Sequence, residues 1–406
     1  MKILWLKTEL LHPVDKGGKI RTYHLLKHLK TDHHITYLTL DDGSAAPDAS
    51  ATADEYCHDL IRIPHLTRPK FSAGFYTELA LNLASSLPYA IRKYKSEAMT
   101  RAITEAVSKD KFDVIICDFL APGVNLPTDL KTPVVLFQHN VEAEIWRRHY
   151  EVQQNPAKRR YLYWQWRKVQ RFERDICRKV DTVIAVSEAD AQMMEREYGV
   201  GKVYDIPTGV DVDFFQPSTG SSASPNSLVF IGSMDWLPNE DAMRFFIDDI
   251  LPIVKQRIPD VHLTIVGRNP YKSLLERAQP DPALTVTGRV DDVRSYIDDA
   301  AAFIVPIRIG GGTRLKIYEA MAMEKPVIST TVGAEGLPLD DGAHLLIGDD
   351  PHSFAEGVVK VLSNSELAIR LGKNAARLVR QNFGWTGVAG TFADLCRATI
   401  IKETSR

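Results

Sequence analysis

Residues 305–337, VPIRIGGGTRLKIYEAMAMEKPVISTTVGAEGL, restrict the fold more than any other stretch of the chain. The apolar run Ala301, Phe303, Ile304 and Val305 stops at Pro306, as a buried parallel strand does. Gly310, Gly311 and Gly312 let the backbone turn and approach a ligand closely. Thr313 suits a helix N-cap, and the spacing predicts a helix from residue 314 to about 323, with Glu319 in its middle. Pro326 then opens a β-branched run over residues 327–331. Strand, glycine turn, helix and strand make a parallel βαβ unit. The free N–H groups of such a helix form an anion site, and Arg314 and Lys316 add positive charge there. A diphosphate cradle fits this pattern, and so does a βαβ connection whose glycines only make the turn. The two cations and the acid on one helix favour the cradle.

The 406 residues suffice for two α/β domains, and 44% hydrophobic residues suffice for their cores. A net charge of -2 points to neither a nucleic-acid binder nor an acidic scaffold. Cys57, Cys117, Cys177 and Cys396 are scattered, with no CxxC or His/Cys spacing for a metal, and fit a reducing cytosol. Cys117 lies in an apolar strand and reads as core. The opening MKILWLKTELLHP has too short an apolar run for a signal peptide and reads as a first strand. No run approaches membrane-spanning length.

Taken in order, residues 3–6 are a strand, Gly17-Gly18 precede a helix from about residue 19, and residues 35–40 are the next strand. There is no GxGxxG, so a dinucleotide fingerprint is unsupported. The diglycine either admits a phosphate or sugar or makes a plain turn. Residues 41–58 read as a loop, and residues 70–99 as mixed helix broken at Pro88. Phe71, Phe75, Tyr76, Leu79 and Leu83 either pack on the core or leave an apolar surface beside Arg92, Lys93 and Lys95. Residues 113–117 and 134–137 are central strands, the second ending in Gln138-His139-Asn140. Ligands of open α/β sheets bind at the carboxyl ends of the strands, which makes His139 a site candidate rather than a strand cap.

Residues 158–179 form a helix with Leu162, Trp166, Val169, Phe172 and Ile176 on one face. Arg160, Arg167, Arg171, Arg174 and Arg178 share the other face with Trp164. This is either a docked helix with a solvated Arg face or a landing surface for an anionic membrane or phosphorylated acceptor. Strands follow at 182–187 and 203–207, with Ser187 as a cap. The Pro, Ser, Thr and Gly run at 217–227 is the best linker in the chain. A second α/β series then begins: a strand at 228 ending in Gly232-Ser233, a helix over 240–257, and strands ending at Gly267 and at Gly288-Arg289-Val290. Residues 383–400, with Trp385, Phe392 and Leu395, are helical.

Seven pieces in this order carry a resemblance: Gly17-Gly18, QHN at 138–140, AVSE at 185–188, PTGVD at 207–211, FIGS at 230–233, TGRV at 287–290 and GGGTRLKIYEAMAMEKPVIST at 310–330. The chain resembles family-4-type retaining glycosyltransferases of the GT-B fold. It looks closest to a bacterial exopolysaccharide or glycolipid subgroup. The resemblance implies an α/β fold of two Rossmann-like domains facing across a central cleft. Residues 1–217 would form the acceptor domain, 218–227 the linker, and 228–382 the donor domain; the helix at 383–406 would cross back to the first domain.

The implied donor is a nucleotide-sugar, UDP- or GDP-linked, with no cofactor and no metal required. In the family, the acid matching Glu319 bonds the ribose hydroxyls. The backbone matching Thr313, Arg314, Leu315 and Lys316, after Gly311 and Gly312, holds the diphosphate. The backbone matching Arg289 and Val290 meets the base, the Gly232-Ser233 loop adjoins the phosphates, and Gly17-Gly18 approach from the other domain. The residue matching His139 contacts the donor sugar. Two departures stand out: the first acid of the family's E-x7-E is here Gly311, and the Arg and Lys often found after the first strand of the donor domain are here Ser233 and Pro238. Arg314 and Lys316 are the economical replacements for the lost charge, with Arg308 or Arg289 as others. Retaining transfer to a glycan, lipid-linked or small-molecule acceptor follows, in the cytoplasm or peripherally at the inner face of the cell membrane. A nucleotide-sugar epimerase and a non-catalytic transferase-like partner are the alternatives.

Overall fold

A computed structural model describes residues 1–14, 17–43, 45, 48–69, 71–218, 223–309 and 315–404. The chain divides into two compact units, Met1–Pro207 with Thr386–Arg406, and Thr208–Trp385.

The first unit is built on seven parallel strands: β1 Lys2–Lys7, β2 His34–Asp41, β3 Asp59–Pro64, β4 Val114–Asp118, β5 Val134–Phe137, β6 Thr182–Ala185 and β7 Tyr204–Asp205. Their order is β3-β2-β1-β4-β5-β6-β7. Chain order reverses between β1 and β4, so this is a doubly wound sheet with its switch point there. Both central strands are buried along their length, as expected of strands covered by helices on both faces. The helix Pro156–Lys179 docks by its apolar face: Val169 and Ile176 are buried, and Trp166 and Phe172 pack against the same cluster. The C-terminal helix Trp385–Thr404 places Phe392 5.6 Å from the Trp5 ring and 5.2 Å from the Phe137 ring.

Residues 59–64 form the edge strand β3, and the stretch 70–99 contains helices Ala73–Asn82 and Tyr89–Arg92 before the start of Glu97–Lys109. Phe71, Tyr76 and Leu83 are exposed, so this segment keeps an apolar surface instead of feeding the core. Ser187 caps the helix Glu188–Tyr198 by accepting from Asp190 N. All four cysteines are free and buried.

The second unit has six parallel strands: β8 Ser227–Ile231, β9 His262–Val266, β10 Leu284–Gly288, β11 Ala302–Val305, β12 Val327–Ser329 and β13 Leu346–Ile347, ordered β10-β9-β8-β11-β12-β13. Its switch point lies between β8 and β11. Residues 208–217, which composition places before the linker, belong to this unit; Val210 is in its core and donates from N to Phe383 O at 2.8 Å. The helical stretch after β8 is Leu237–Phe245, a π turn Phe246–Ile250, and Leu251–Arg257. Pro252 lacks an N–H and its ring crowds the carbonyl four residues back, which accounts for the widened turn just before it. The helix after the glycine triplet is Leu315–Ala322.

Candidate active site

The switch point of the first sheet carries a buried polar cluster. Register pairs Leu6 with Cys117, so Lys7 and Asp118 end neighbouring strands side by side. Lys7 is 2% exposed and Asp118 0%. Lys7 Nζ donates to Asp118 Oδ2 at 2.8 Å and to Thr22 Oγ1 at 2.7 Å. Thr22 donates to Asp118 Oδ2 at 2.7 Å, and Trp5 Nε1 donates to the same oxygen at 2.9 Å. Burying a charge pair is costly, and three donors on one carboxylate oxygen offset much of that cost. Burial alone would raise the Asp118 pKa; Lys7 and His139 outweigh it and hold the carboxyl well below the usual carboxylate range.

His139 stands two residues beyond β5 and is 1% exposed. Its Nε2 lies 2.8 Å from Asp118 Oδ1, although the N–H is off the line of contact. Nδ1 is buried without a hydrogen-bond partner among the described residues. Burial, opposed by Asp118, lowers the imidazole pKa to about 3, so the ring is neutral at pH 7. Phe119, at a left-handed φ of 72°, stacks on the ring with centroids 3.8 Å apart. A Cβ on Gly18 would sit 2.7 Å from Phe119 Cζ, so the glycine is what lets the helix Gly17–Leu29 press against that ring. Gly18 and His139, 121 positions apart in sequence, thus meet the same aromatic side chain, the glycine at its tip and the imidazole on a face. A Cβ on Gly17 would meet nothing within 4 Å, so that glycine answers no packing demand.

The Arg-rich helix supplies an unexpected part. Its Glu173 is fully buried and accepts from Gln138 Nε2 at 2.8 Å, Glu142 N and Ala143 N at 2.9 Å each, and Tyr198 OH at 2.6 Å. The helix Glu142–Val152 begins at Val141, which has no side-chain cap, so Glu173 caps it from another helix and fixes the 138–140 loop. Burial, opposed by Tyr198 and those N–H donors, raises the Glu173 pKa to about 7.

In the second unit, Gly232 follows β8 at the switch point. A Cβ there would lie 2.6 Å from Asn239 Nδ2 and 2.8 Å from Lys316 Nζ. Asn239 bridges the two, donating to Ser233 O at 2.8 Å and accepting from Lys316 Nζ at 3.2 Å. Lys316 also lies over the Phe230 ring at 4.3 Å. Ser233 accepts from Arg268 Nε at 2.7 Å and donates to Asp235 at 2.6 Å. Arg268 is thus the cation at the Ser233 loop, and it follows Gly267 directly in the sequence, an uncommon place to look for it. Glu319, half-buried on the helix Leu315–Ala322, has its pKa raised to about 7 by burial, with Lys316 opposing. Leu315 is half-buried at the start of that helix.

Arg308 is committed elsewhere, donating to Asp241 at 2.8 and 3.1 Å. Arg289 is exposed, and Val290 packs on the core. Gly311, Gly312, Thr313 and Arg314 lie outside the described residues. Among the described residues, no group of three His, Cys, Asp or Glu side chains could hold a metal ion.

Solved structures align over nearly the whole chain. Sucrose-phosphate synthase from Thermosynechococcus elongatus matches with a TM-score of 0.74 and 19% identity, over 99% of this chain and 100% of that one. Anabaena HepE in complex with UDP matches with a TM-score of 0.71 and 12% identity, over 98% and 100%. The fold is that of the GT-B glycosyltransferases. Residues 16–214 match the family model described as Glycosyltransferase Family 4, and residues 225–364 match that described as Glycosyl transferases group 1. The chain belongs to the family-4-type glycosyltransferases. An uncharacterized 44.6 kDa protein in the cps region of Klebsiella pneumoniae is 21% identical over 94% of this chain and 96% of its own length. The phosphatidyl-myo-inositol mannosyltransferase of Mycobacterium tuberculosis is 32% identical over 51% of this chain and 56% of its own, so that match spans about half of each protein.

Proposed function

We propose that this glycosyltransferase takes its sugar from a UDP- or GDP-linked donor bound on the second unit. It passes the sugar to a glycan, lipid-linked sugar or small-molecule acceptor held by the first. The observation that carries the reading is the Gly232 approach, where a bare Cα lies beside the Lys316 ammonium and the Asn239 amide at the switch point. A diphosphate leaving group gains charge as its glycosidic bond breaks, and fixed cations stabilise that charge. Lys316 has this role, with Arg268 one loop away. Glu319 accepts from the ribose hydroxyls, Arg289 and Val290 meet the base through their backbone, Gly17-Gly18 approach the diphosphate, and His139 positions the sugar. The acceptor oxygen bonds C1 on the face from which the phosphate oxygen departs, and that oxygen takes the acceptor proton. Configuration is then retained with no enzyme nucleophile and no metal. The UDP-bound HepE neighbour favours uridine.

The site of action is the cytoplasmic face of the cell membrane. No helix among the described residues is long and apolar enough to cross a membrane. The apolar face of the Pro156–Lys179 helix is docked, so lipid contact uses its exposed Arg160, Arg167 and Trp164. The adjoining segment adds Leu66, Phe71 and Leu81, which are 88%, 77% and 62% exposed. Gln165 Nε2 donates to Asn82 Oδ1 at 3.0 Å and Lys168 Nζ to Asn82 O at 2.7 Å, which joins the two into one surface.

A thermal-shift panel of UDP, GDP, ADP and dTDP with their sugars tests the donor. A ligand at a hundredfold its Kd stabilises by about 2.7 kcal/mol, and the rise should survive EDTA. If no nucleotide raises the melting temperature, the donor reading fails.

A further inference from the structure

We propose that the first unit carries a second ligand site, for a phosphate monoester of a sugar, in a basic cavity at the amino ends of β6 and β7. The site is independent of the donor reading above.

The cavity measures about 370 Å³ and lies between the end of the Arg-rich helix, the loop 199–203 and the C-terminal helix. Two of its lining residues, Thr182 and Tyr204, are the first residues of β6 and β7. Lys7, Asp118 and His139 stand at the opposite, carboxyl edge of the same sheet, where open α/β sheets bind their substrates. The four residues of β6, at about 3.3 Å each, separate the two edges. A ligand in this cavity therefore does not meet the polar cluster of the candidate active site.

Charge selects an anion. Arg178, Lys202 and Lys402 line the cavity against one carboxylate, Asp181. Asp181 Oδ2 already accepts from Val134 N at 2.8 Å, and none of the three cations forms an ion pair among the described residues. Arg178 Nε donates to Tyr198 O at 2.8 Å, which anchors the guanidinium and leaves its two Nη groups for a ligand. A Cβ on Gly199 would lie 3.2 Å from Arg178 Nη2, so the bare glycine lets the guanidinium lie against the loop. In that loop the N–H groups of Val200, Gly201 and Lys202 make no hydrogen bond among the described residues. Three cations less one carboxylate leave two positive charges, and a phosphate monoester carries about −1.5 to −2 at pH 7.

The remaining lining selects what the phosphate is attached to. Thr399 Oγ1 donates to Leu395 O at 2.9 Å, so the 2.8 Å contact between the buried Thr182 and Thr399 hydroxyls is a donation from Thr182. Both protons are spent, and the lone pairs left over can only accept, which suits a sugar hydroxyl and not a phosphate oxygen. A nucleobase finds no platform: Tyr204 is the only aromatic residue among the described lining, and Lys202 Nζ sits 5.0 Å from its ring centre.

Calorimetry on the full chain with glucose 6-phosphate as probe tests the site. Glucose 6-phosphate should bind one to one, inorganic phosphate about tenfold more weakly, and glucose not at all, with saturating UDP making no difference. Lys202→Gln with Lys402→Gln should weaken binding about tenfold or more at an unchanged melting temperature, since both positions are exposed. Arg178→Gln should weaken it by roughly tenfold to a hundredfold. Lys316→Met, on the other unit, should bind as the wild type does. No saturable binding of glucose 6-phosphate overturns the proposal. So does binding that UDP displaces, or that Lys316→Met loses while the double lysine variant keeps it, because the ligand then sits in the donor cradle. Inorganic phosphate bound as tightly as glucose 6-phosphate, or AMP bound more tightly, overturns the sugar-phosphate assignment. The double lysine variant decides the matter even if Arg178→Gln fails to fold.

Discussion

Lys7 Nζ and Asp118 Oδ2 lie 2.8 Å apart with both side chains buried, at the ends of adjacent strands and 111 residues apart in sequence. Removing one partner leaves the other charge uncompensated, which typically costs about 3–5 kcal/mol. Lys7→Met should therefore destabilise the first unit by roughly that much in urea unfolding. The pair Lys7→Met with Asp118→Leu should cost less than the single change, because no orphan charge remains. The Asp118 pKa is depressed on folding, so its stabilisation is present above the unfolded value near 4 and lost as pH falls below it. The gap between wild type and Asp118→Asn should close in that acid range; a gap that stays constant would deny the pair its role.

His139 gives a second pH signature. Its pKa falls from 6.5 to about 3 on folding, so the unfolded chain binds a proton that the folded chain refuses. Its contribution is complete above pH 6.5 and is lost as pH drops toward 3, at up to about 1.4 kcal/mol per unit. His139→Gln should flatten the acid side of the stability profile by that slope. Superimposable profiles for the two proteins would show that the ring titrates normally.

Glu173 runs the other way. Its pKa is raised from 4.5 to about 7, so its stabilisation is complete below 4.5 and declines as pH climbs through 7. Glu173→Gln should remove that decline, worth up to roughly 3 kcal/mol for a shift of this size. Glu173→Ala should strip two N–H groups and Gln138 of their acceptor and cost several kcal/mol at any pH. Chemical denaturation at pH 5 and pH 8 separates the two variants, and equal losses for both at each pH would refute the capping role.

Lys7, Asp118 and Glu173 are the least legible of these side chains in the sequence. The strands were readable because their apolar runs are short and end in Pro, Gly or polar residues, and the docked helix was readable from its periodicity. His139 stood out because it follows a strand directly. Lys7 and Asp118 did not, since a charged residue closing an apolar strand looks like the place where the chain meets solvent. Only the switch point, which brings β1 beside β4, turns two such ends into a buried pair. Glu173 did leave a signal: it falls on the helix face of Val169 and Ile176, where an acid has no business unless it is bonded. The arginines around it masked that. Arg268 left none, because a cation after a strand-end glycine is ordinary until the Ser233 loop folds against it.

Lipid contact is checked by flotation with vesicles. Recovery should be high with anionic vesicles, low with neutral ones, and should fall with salt, since the cations act within a Debye length of about 8–10 Å. Arg160→Glu with Arg167→Glu should reduce it, and Phe71→Ser with Leu81→Ser should reduce it separately, with the melting temperature unchanged because all four positions are exposed. Equal recovery of all three proteins would remove this surface from the membrane reading.

The glycines give paired outcomes. Gly18→Ala would force a methyl to 2.7 Å from Phe119, whose ring is backed by His139, so it should cost about 1–3 kcal/mol as overpacking. Gly232→Ala would put its methyl 2.6 Å from Asn239 Nδ2 and 2.8 Å from Lys316 Nζ. Both are side-chain tips that can give way, so stability should suffer less while the cradle is displaced. Uridine diphosphate affinity, read by calorimetry, should fall for Gly232→Ala and by roughly tenfold to a hundredfold for Lys316→Met, the range for losing one hydrogen bond to a charged group. Lys316→Arg should not rescue it, because the larger guanidinium does not fit where the ammonium sits 3.2 Å from Asn239 and 4.3 Å over Phe230. Unchanged affinity in Lys316→Met would move the phosphate site away from this helix, and Arg268→Ala would then be the variant that loses binding.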